Sequence, residues 1–182
     1  ERPDKAEIRV LLKQLAEAIQ HVHSKELIHG DLKLQNVVRF GGRLRLIDFD
    51  AAAKYDSFAG AKFSSGVLPP EMIAKLTVDK CQRFLEYFKG VNDDDEWAKI
   101  GPKQFRDKEF FVVKTFRPQD LKYSMEIHED RQVVTKQFIK HDDPVDRSKL
   151  PYELVNATKA IDIWSFGVIL YALHTGSPLF DV

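Results

Sequence analysis

An α+β fold, mainly helical, is the class that this 182-residue sequence predicts, and three stretches predict it. Residues 5 to 24 carry Ile8, Leu11, Leu12, Leu15, Ile19 and Val22 at helical spacing. Residues 37 to 47 run from an apolar pair through Gly41-Gly42 to Leu44-Arg45-Leu46-Ile47, the pattern of a β-hairpin. Residues 160 to 174 are apolar on nearly every face, which predicts a buried helix.

The first helix has a start signal. Asp4 suits the N-cap, and Glu7 three residues on completes a pattern like the capping box. His21 and His23 read as helix-end surface or packing, since neither has a metal-ligand partner at suitable spacing. Gly176 is the stop signal of the last helix. Between hairpin and last helix, residues 72 to 88 have a partly helical pattern, and Phe110 to Phe116 reads as a strand ended by Arg117-Pro118. Residues 92 to 96 are an acidic turn without the glycine and distal glutamate of a calcium loop. Residues 127 to 139 fit either helix or strand.

Bulk composition narrows the function classes. Lys+Arg and Asp+Glu are both 28, so net charge predicts neither a nucleic-acid nor a membrane partner. A hydrophobic content of 43% is enough for a real core. Cys81 is the only cysteine, so no internal disulfide forms and a reducing, intracellular and cytoplasmic setting is expected. No signal pattern and no apolar run of membrane length occurs.

The chemistry is concentrated in residues 27 to 50. Asp31 stands five positions before Asn36, with Lys33 between them, and Asp48-Phe49-Asp50 follows the hairpin. A hairpin carries Asn36 at its entry and Asp48 at its exit, so two oxygen ligands come close together. Phosphoryl transfer needs hard oxygen ligands for magnesium, a carboxylate near the attacking hydroxyl and a cation near the phosphoryl group. Asn36 and Asp48 suit the metal, Asp31 the hydroxyl, and Lys33 the developing charge.

Residues 29 to 36, His-Gly-Asp-Leu-Lys-Leu-Gln-Asn, resemble the catalytic loop of eukaryotic-type protein kinases, and Asp48-Phe49-Asp50 resembles their metal-binding motif. Lys33, two residues after Asp31, resembles the serine/threonine branch. Leu68-Pro69-Pro70-Glu71 resembles the close of the activation segment, and residues 162 to 167 resemble the start of the central helix. The resemblance implies a partial, mainly helical kinase large lobe: residues 1–71 with catalytic loop and activation segment, 72–157 as an insertion, and 158–182 as central helix and exit. The combination of a glycine in the catalytic loop, Ser-Ser-Gly before Leu-Pro-Pro-Glu, and the insertion resembles a kinase group expanded in oomycetes.

The resemblance also implies roles. Asp31 and Lys33 would be catalytic, Lys33, Asn36 and Asp48 would bind ATP with its magnesium, and Asn36 and Asp48 would hold that metal. His29 would pack on Phe49 and bond nearby backbone, Ser64 would bridge Asp31 and Lys33, and Asp162 would bond the catalytic-loop backbone. Two positions depart from the pattern. Gly30 replaces an arginine that normally pairs with a phosphorylated activation loop, so activity is expected not to depend on phosphorylation of that loop, at Ser57 for example. Asp50 replaces a glycine that supplies backbone freedom.

No glycine-rich phosphate loop occurs, and no strand lysine with a helix glutamate can be placed, so the small lobe is expected to be absent and this piece alone inactive. Glu71 and Asp162 stand 91 positions apart, where the family has a short connection. The insertion is aromatic enough to pack, and it lies where a partner-binding surface is expected. The parent is expected to transfer the γ-phosphoryl group of ATP to a protein serine or threonine with magnesium. The alternative is a kinase-fold scaffold that binds partners through the insertion.

Overall fold

The computed structural model describes residues 4–60, 68–89, 97, 100–106, 108–116, 121–128, 131–138 and 147–180. The first helix, α1, spans Lys5–His23. Asp4 caps it, its carboxylate accepting the Glu7 N–H at 2.7 Å. The return half of the expected capping box is not made among the described residues, because the Glu7 carboxylate turns to Arg39 at 3.8 Å. Ile8, Leu15, Ile19 and Val22 form the buried stripe of α1.

Strand β1 (Leu27–Ile28) follows and pairs antiparallel with β4 (Ala53–Lys54). The expected hairpin forms from β2 (Val37–Phe40) and β3 (Arg43–Leu46), turning on Gly41 and Gly42, both at positive φ. Leu44 N–H donates to Gln14 Oε1 at 2.8 Å, fastening the hairpin to α1. Leu15, Ile19 and Leu32 pack with Ile169 of the last helix, and Val37, Leu44 and Leu46 close over them.

That last helix, α3, spans Lys159–Thr175 and ends at Gly176, whose φ of 72° is the left-handed conformation glycine adopts without strain. It departs from the expectation of full burial. Ile161, Val168 and Ile169 are buried, but Ile163 is 55% exposed and Leu170 and Tyr171 stand out as well. The described elements against α3, chiefly α1 and β1, cover one side of it only. Trp164 stacks at 6.3 Å on Phe180.

Described residues between 73 and 154 build a second core. Strand β5 (Ile73–Leu76) leads into helix α2 (Val78–Tyr87), where periodicity over 72 to 88 predicts a helical pattern alone. Strands β6 (Lys103–Arg106) and β7 (Glu109–Val113) complete an antiparallel sheet of order β5-β7-β6. The strand expected over 110 to 116 thus ends at Val113. Phe84, Phe88, Leu76, Val112, Phe116 and Leu150 form the core with α2 on the sheet. The ambiguous stretch of 127 to 139 belongs mostly to a hairpin of β8 (Leu121–His128) and β9 (Arg131–Phe138). The acidic run 92–96 and Arg117-Pro118 lie outside the described residues.

This second core is fastened to residues 57 to 60. Ala59 N–H donates to Val155 O at 2.9 Å and Ala157 N–H to Ser57 O at 2.8 Å. Thr115 Oγ1–H donates to Gly60 O. Gly60 has φ of 103°, and a Cβ there would meet Lys114 O at 2.5 Å, so glycine is required on both counts.

Candidate active site

The site is built by the loop between β1 and β2. His29, Asp31 and Asn36 are all buried, at 0, 4 and 4% exposure. Burial of so many polar groups needs internal partners, and the loop supplies them. Lys33 Nζ donates to Asp31 Oδ2 at 2.8 Å. Asn36 Nδ2 donates to Asp31 O at 2.8 Å and to Asp31 Oδ2 at 3.3 Å. Two cationic or amide donors therefore orient one carboxylate.

Asp162 holds this loop from below. The carboxylate is 1% exposed. It accepts His29 N–H at 2.8 Å, Gly30 N–H at 3.0 Å and the His23 ring Nε2–H at 2.8 Å. The first two bonds are those the resemblance implies. The third gives His23 a structural role that the sequence reading missed. A separation of 139 positions leaves no spacing signal for such a pair. His29 meets its expected contacts. Its ring lies 4.7 Å from that of Phe49. Nε2 bonds Ile47 O at 3.0 Å, while Nδ1 accepts the Asp31 N–H at 3.4 Å, which selects the Nε2–H tautomer.

The hairpin register sets the position of Asp48 along the chain relative to Asn36. Val37 pairs with Leu46, and Ile47 N–H donates to Asn36 O at 3.0 Å, so Asp48 is one residue beyond the position opposite Asn36. Its φ of 61° and ψ of 69° are left-handed, a conformation that aspartate tolerates better than most residues. Asp50 is not at positive φ; the short helical turn Phe49–Ala51 contains it. The backbone freedom of a glycine is therefore not needed at position 50.

The donor set fits a magnesium ion. Asn36 commits its amide nitrogen to Asp31, so its carbonyl oxygen would be the hard ligand, and Asp48 would add a carboxylate. Magnesium is held by one or two such groups and keeps waters and phosphate oxygens for the rest. Among the described residues no three His, Cys, Asp or Glu side chains cluster as a metal site.

Gly30 is fixed by geometry. Its φ is 77°, and a Cβ would meet Ala51 O at 2.4 Å. The backbone turns left-handed there to present both the His29 and the Gly30 N–H to Asp162. Ser64 and Ser65, and with them the expected hydroxyl bridge, lie outside the described residues. Ser57 donates its hydroxyl to Lys54 O at 2.7 Å.

Residues 2–82 match the protein kinase domain family. Serine/threonine-protein kinase 10 of Danio rerio is 40% identical over 65 residues, covering 31% of this chain and 7% of that protein. The probable serine/threonine-protein kinase mps1 of Dictyostelium discoideum is 24% identical over 174 residues, 95% of this chain and 11% of that protein. Serine/threonine-protein kinase pim-2 of Danio rerio is 36% identical over 77 residues, 38% of this chain and 24% of that protein. The chain thus spans less than a quarter of the length of each of these relatives. No helix among the described residues is long and apolar enough to cross a membrane. Over residues 2–82 the chain is thus similar to the protein kinase domain, and the relatives that it matches are serine/threonine-protein kinases.

Proposed function

We propose that the whole protein transfers the γ-phosphoryl group of ATP to a serine or threonine hydroxyl of a protein substrate. The observation that carries this reading is the single Asp31 carboxylate oxygen oriented by Lys33 at 2.8 Å and by Asn36 at 3.3 Å. A base so held can accept a hydrogen bond from the attacking hydroxyl and take its proton. Lys33 sits where negative charge grows on the phosphoryl group, and its ammonium offsets that charge. Asn36 and Asp48 are the metal ligands in this reading. A magnesium ion held by these two groups would supply neutralisation of the phosphate charge.

Asp162 positions the loop and does not touch the reacting atoms. Gly30 and Asp50, the two departures from the usual pattern, remove no group from this chemistry. Without an arginine at position 30, activity would not wait on phosphorylation of Ser57. Residues 72–157 are read as an insertion in the kinase large lobe, completed in the whole protein by the segments that clamp ATP, and the setting is read as intracellular.

The test is transfer from labelled ATP to a generic protein substrate by the full-length protein and its Asp31→Asn variant. The expected outcome is a fall of about 10²–10⁴ in the rate with ATP binding retained. Equal transfer by both proteins would remove Asp31 from the role of base.

A further inference from the structure

A groove of about 890 Å³ opens where the second core meets residues 57 to 60. Lys80 and Arg83 of α2 form one wall, Lys114 lies just past β7, and Arg147 comes from the returning segment. Among the described residues that line it, Glu153 is the one carboxylate beside these four cations. The chain as a whole has equal numbers of each sign, so this is a local concentration of positive charge. Among the described residues none of the four cations is in an ion pair. Four like charges around one cavity repel each other, and an anionic ligand relieves that repulsion.

Two of the four are held in place. The Arg147 guanidinium lies 4.6 Å from the Phe116 ring centroid and 5.7 Å from that of Phe58. Arg83 Nη2 donates to Leu150 O at 3.3 Å. Arginines restrained by stacking and by a backbone contact lose less entropy when they bind, and their forks match phosphate oxygens in pairs. The remaining lining includes Phe58, Leu150, Pro151 and Leu154. An apolar floor with a basic wall suits a peptide, whose phosphate meets the cations while neighbouring side chains meet the floor.

We propose that this groove docks a protein segment bearing phosphoserine or phosphothreonine. A phosphate carries close to two negative charges, against one for a carboxylate, which favours it where, among the described residues, four cations face one acid. The inference rests on the groove alone and holds whether or not Asp31 is the base.

Anisotropy of a labelled pool of short peptides with a fixed central phosphoserine, added to the full-length protein, tests it. The same pool with serine is the control. The phosphorylated pool should bind at least ~10-fold tighter, the difference expected of one or two charge-assisted hydrogen bonds. Arg83→Ala with Arg147→Ala should abolish that preference. Lys80→Glu with Lys114→Glu, which spares both fixed arginines, should also abolish it and keeps the test open if the arginine variant does not fold. Equal binding of the two pools would overturn the proposal. So would a preference that survives the lysine reversals, or single-stranded RNA competing as well as the phosphopeptides.

Discussion

The loop around Asp31 and the second core around Phe84 are held together by opposite means. Among the described residues, five of the six buried polar or charged ones, His29, Asp31, Asn36, Asp162 and Ser165, belong to the first region, and Thr115 belongs to the second. The second is closed by aromatic packing, with Phe84 4.6 Å from Phe88 and Tyr87 4.8 Å from Phe88. A polar loop fixes side-chain positions, because each donor has one good place to go. An aromatic core fixes a shape and gives stability through area removed from water. The first is what a reacting site needs, and the second is what a platform needs.

The largest expected effects break each region by its own means. Phe84 is fully buried, so Phe84→Ala should cost ~3–5 kcal/mol. Asp162→Ala removes the acceptor of three donors and should cost a comparable ~3–5 kcal/mol. The informative measurement is hydrogen exchange resolved along the chain. Phe84→Ala should lower protection over β5, α2 and β7 first, and Asp162→Ala should lower it over residues 28 to 36 first. If both substitutions lower both regions equally, the two cores are one cooperative unit and the contrast drawn between them fails.

A smaller effect sharpens the comparison at Gly30. Alanine there meets both a positive φ and the Ala51 carbonyl at 2.4 Å, and should cost ~1–3 kcal/mol in stability. Chemical denaturation would read this directly. An unchanged midpoint would mean that the loop relaxes without loss, and that the left-handed turn is not what presents two N–H groups to Asp162.

The two regions were also unequally legible in the sequence. Asp31, Lys33, Asn36 and Asp48 lie within eighteen positions, and a hairpin between them fixes their approach, so local spacing carried the site. Asp162 was legible by resemblance. His23 was not, because its partner is brought to it by the packing of α3 on α1, and no local pattern encodes that. In the second region Phe110 to Phe116 announced a strand by its side chains, but β5 hid inside a stretch whose helical pattern came from α2 next to it. The groove between Lys80, Arg83, Lys114 and Arg147 draws on residues up to 67 positions apart, so no charge run marked it.

Tyr152 gives the smallest and most specific test, since it holds Thr115, whose hydroxyl donates to Gly60 O. Its hydroxyl donates to Thr115 O at 2.8 Å and accepts the Thr115 N–H at 3.2 Å. Burial pushes its ionisation well above the usual tyrosine range, partly opposed by the backbone contact with Thr115. The folded protein therefore keeps the Tyr152 proton where the unfolded chain releases it. That contribution is fully present below the ordinary tyrosine value of about 10 and is lost as pH rises above it. Tyr152→Phe should cost ~1–2 kcal/mol at neutral pH through the lost hydrogen bonds. It should also remove part of the alkaline fall in stability above about pH 10. Melting curves of both proteins from neutral to alkaline pH would separate the two effects. Parallel curves over the whole range would mean that Tyr152 ionises no differently in the folded state, and the link from Thr115 to Gly60 would then stand without it.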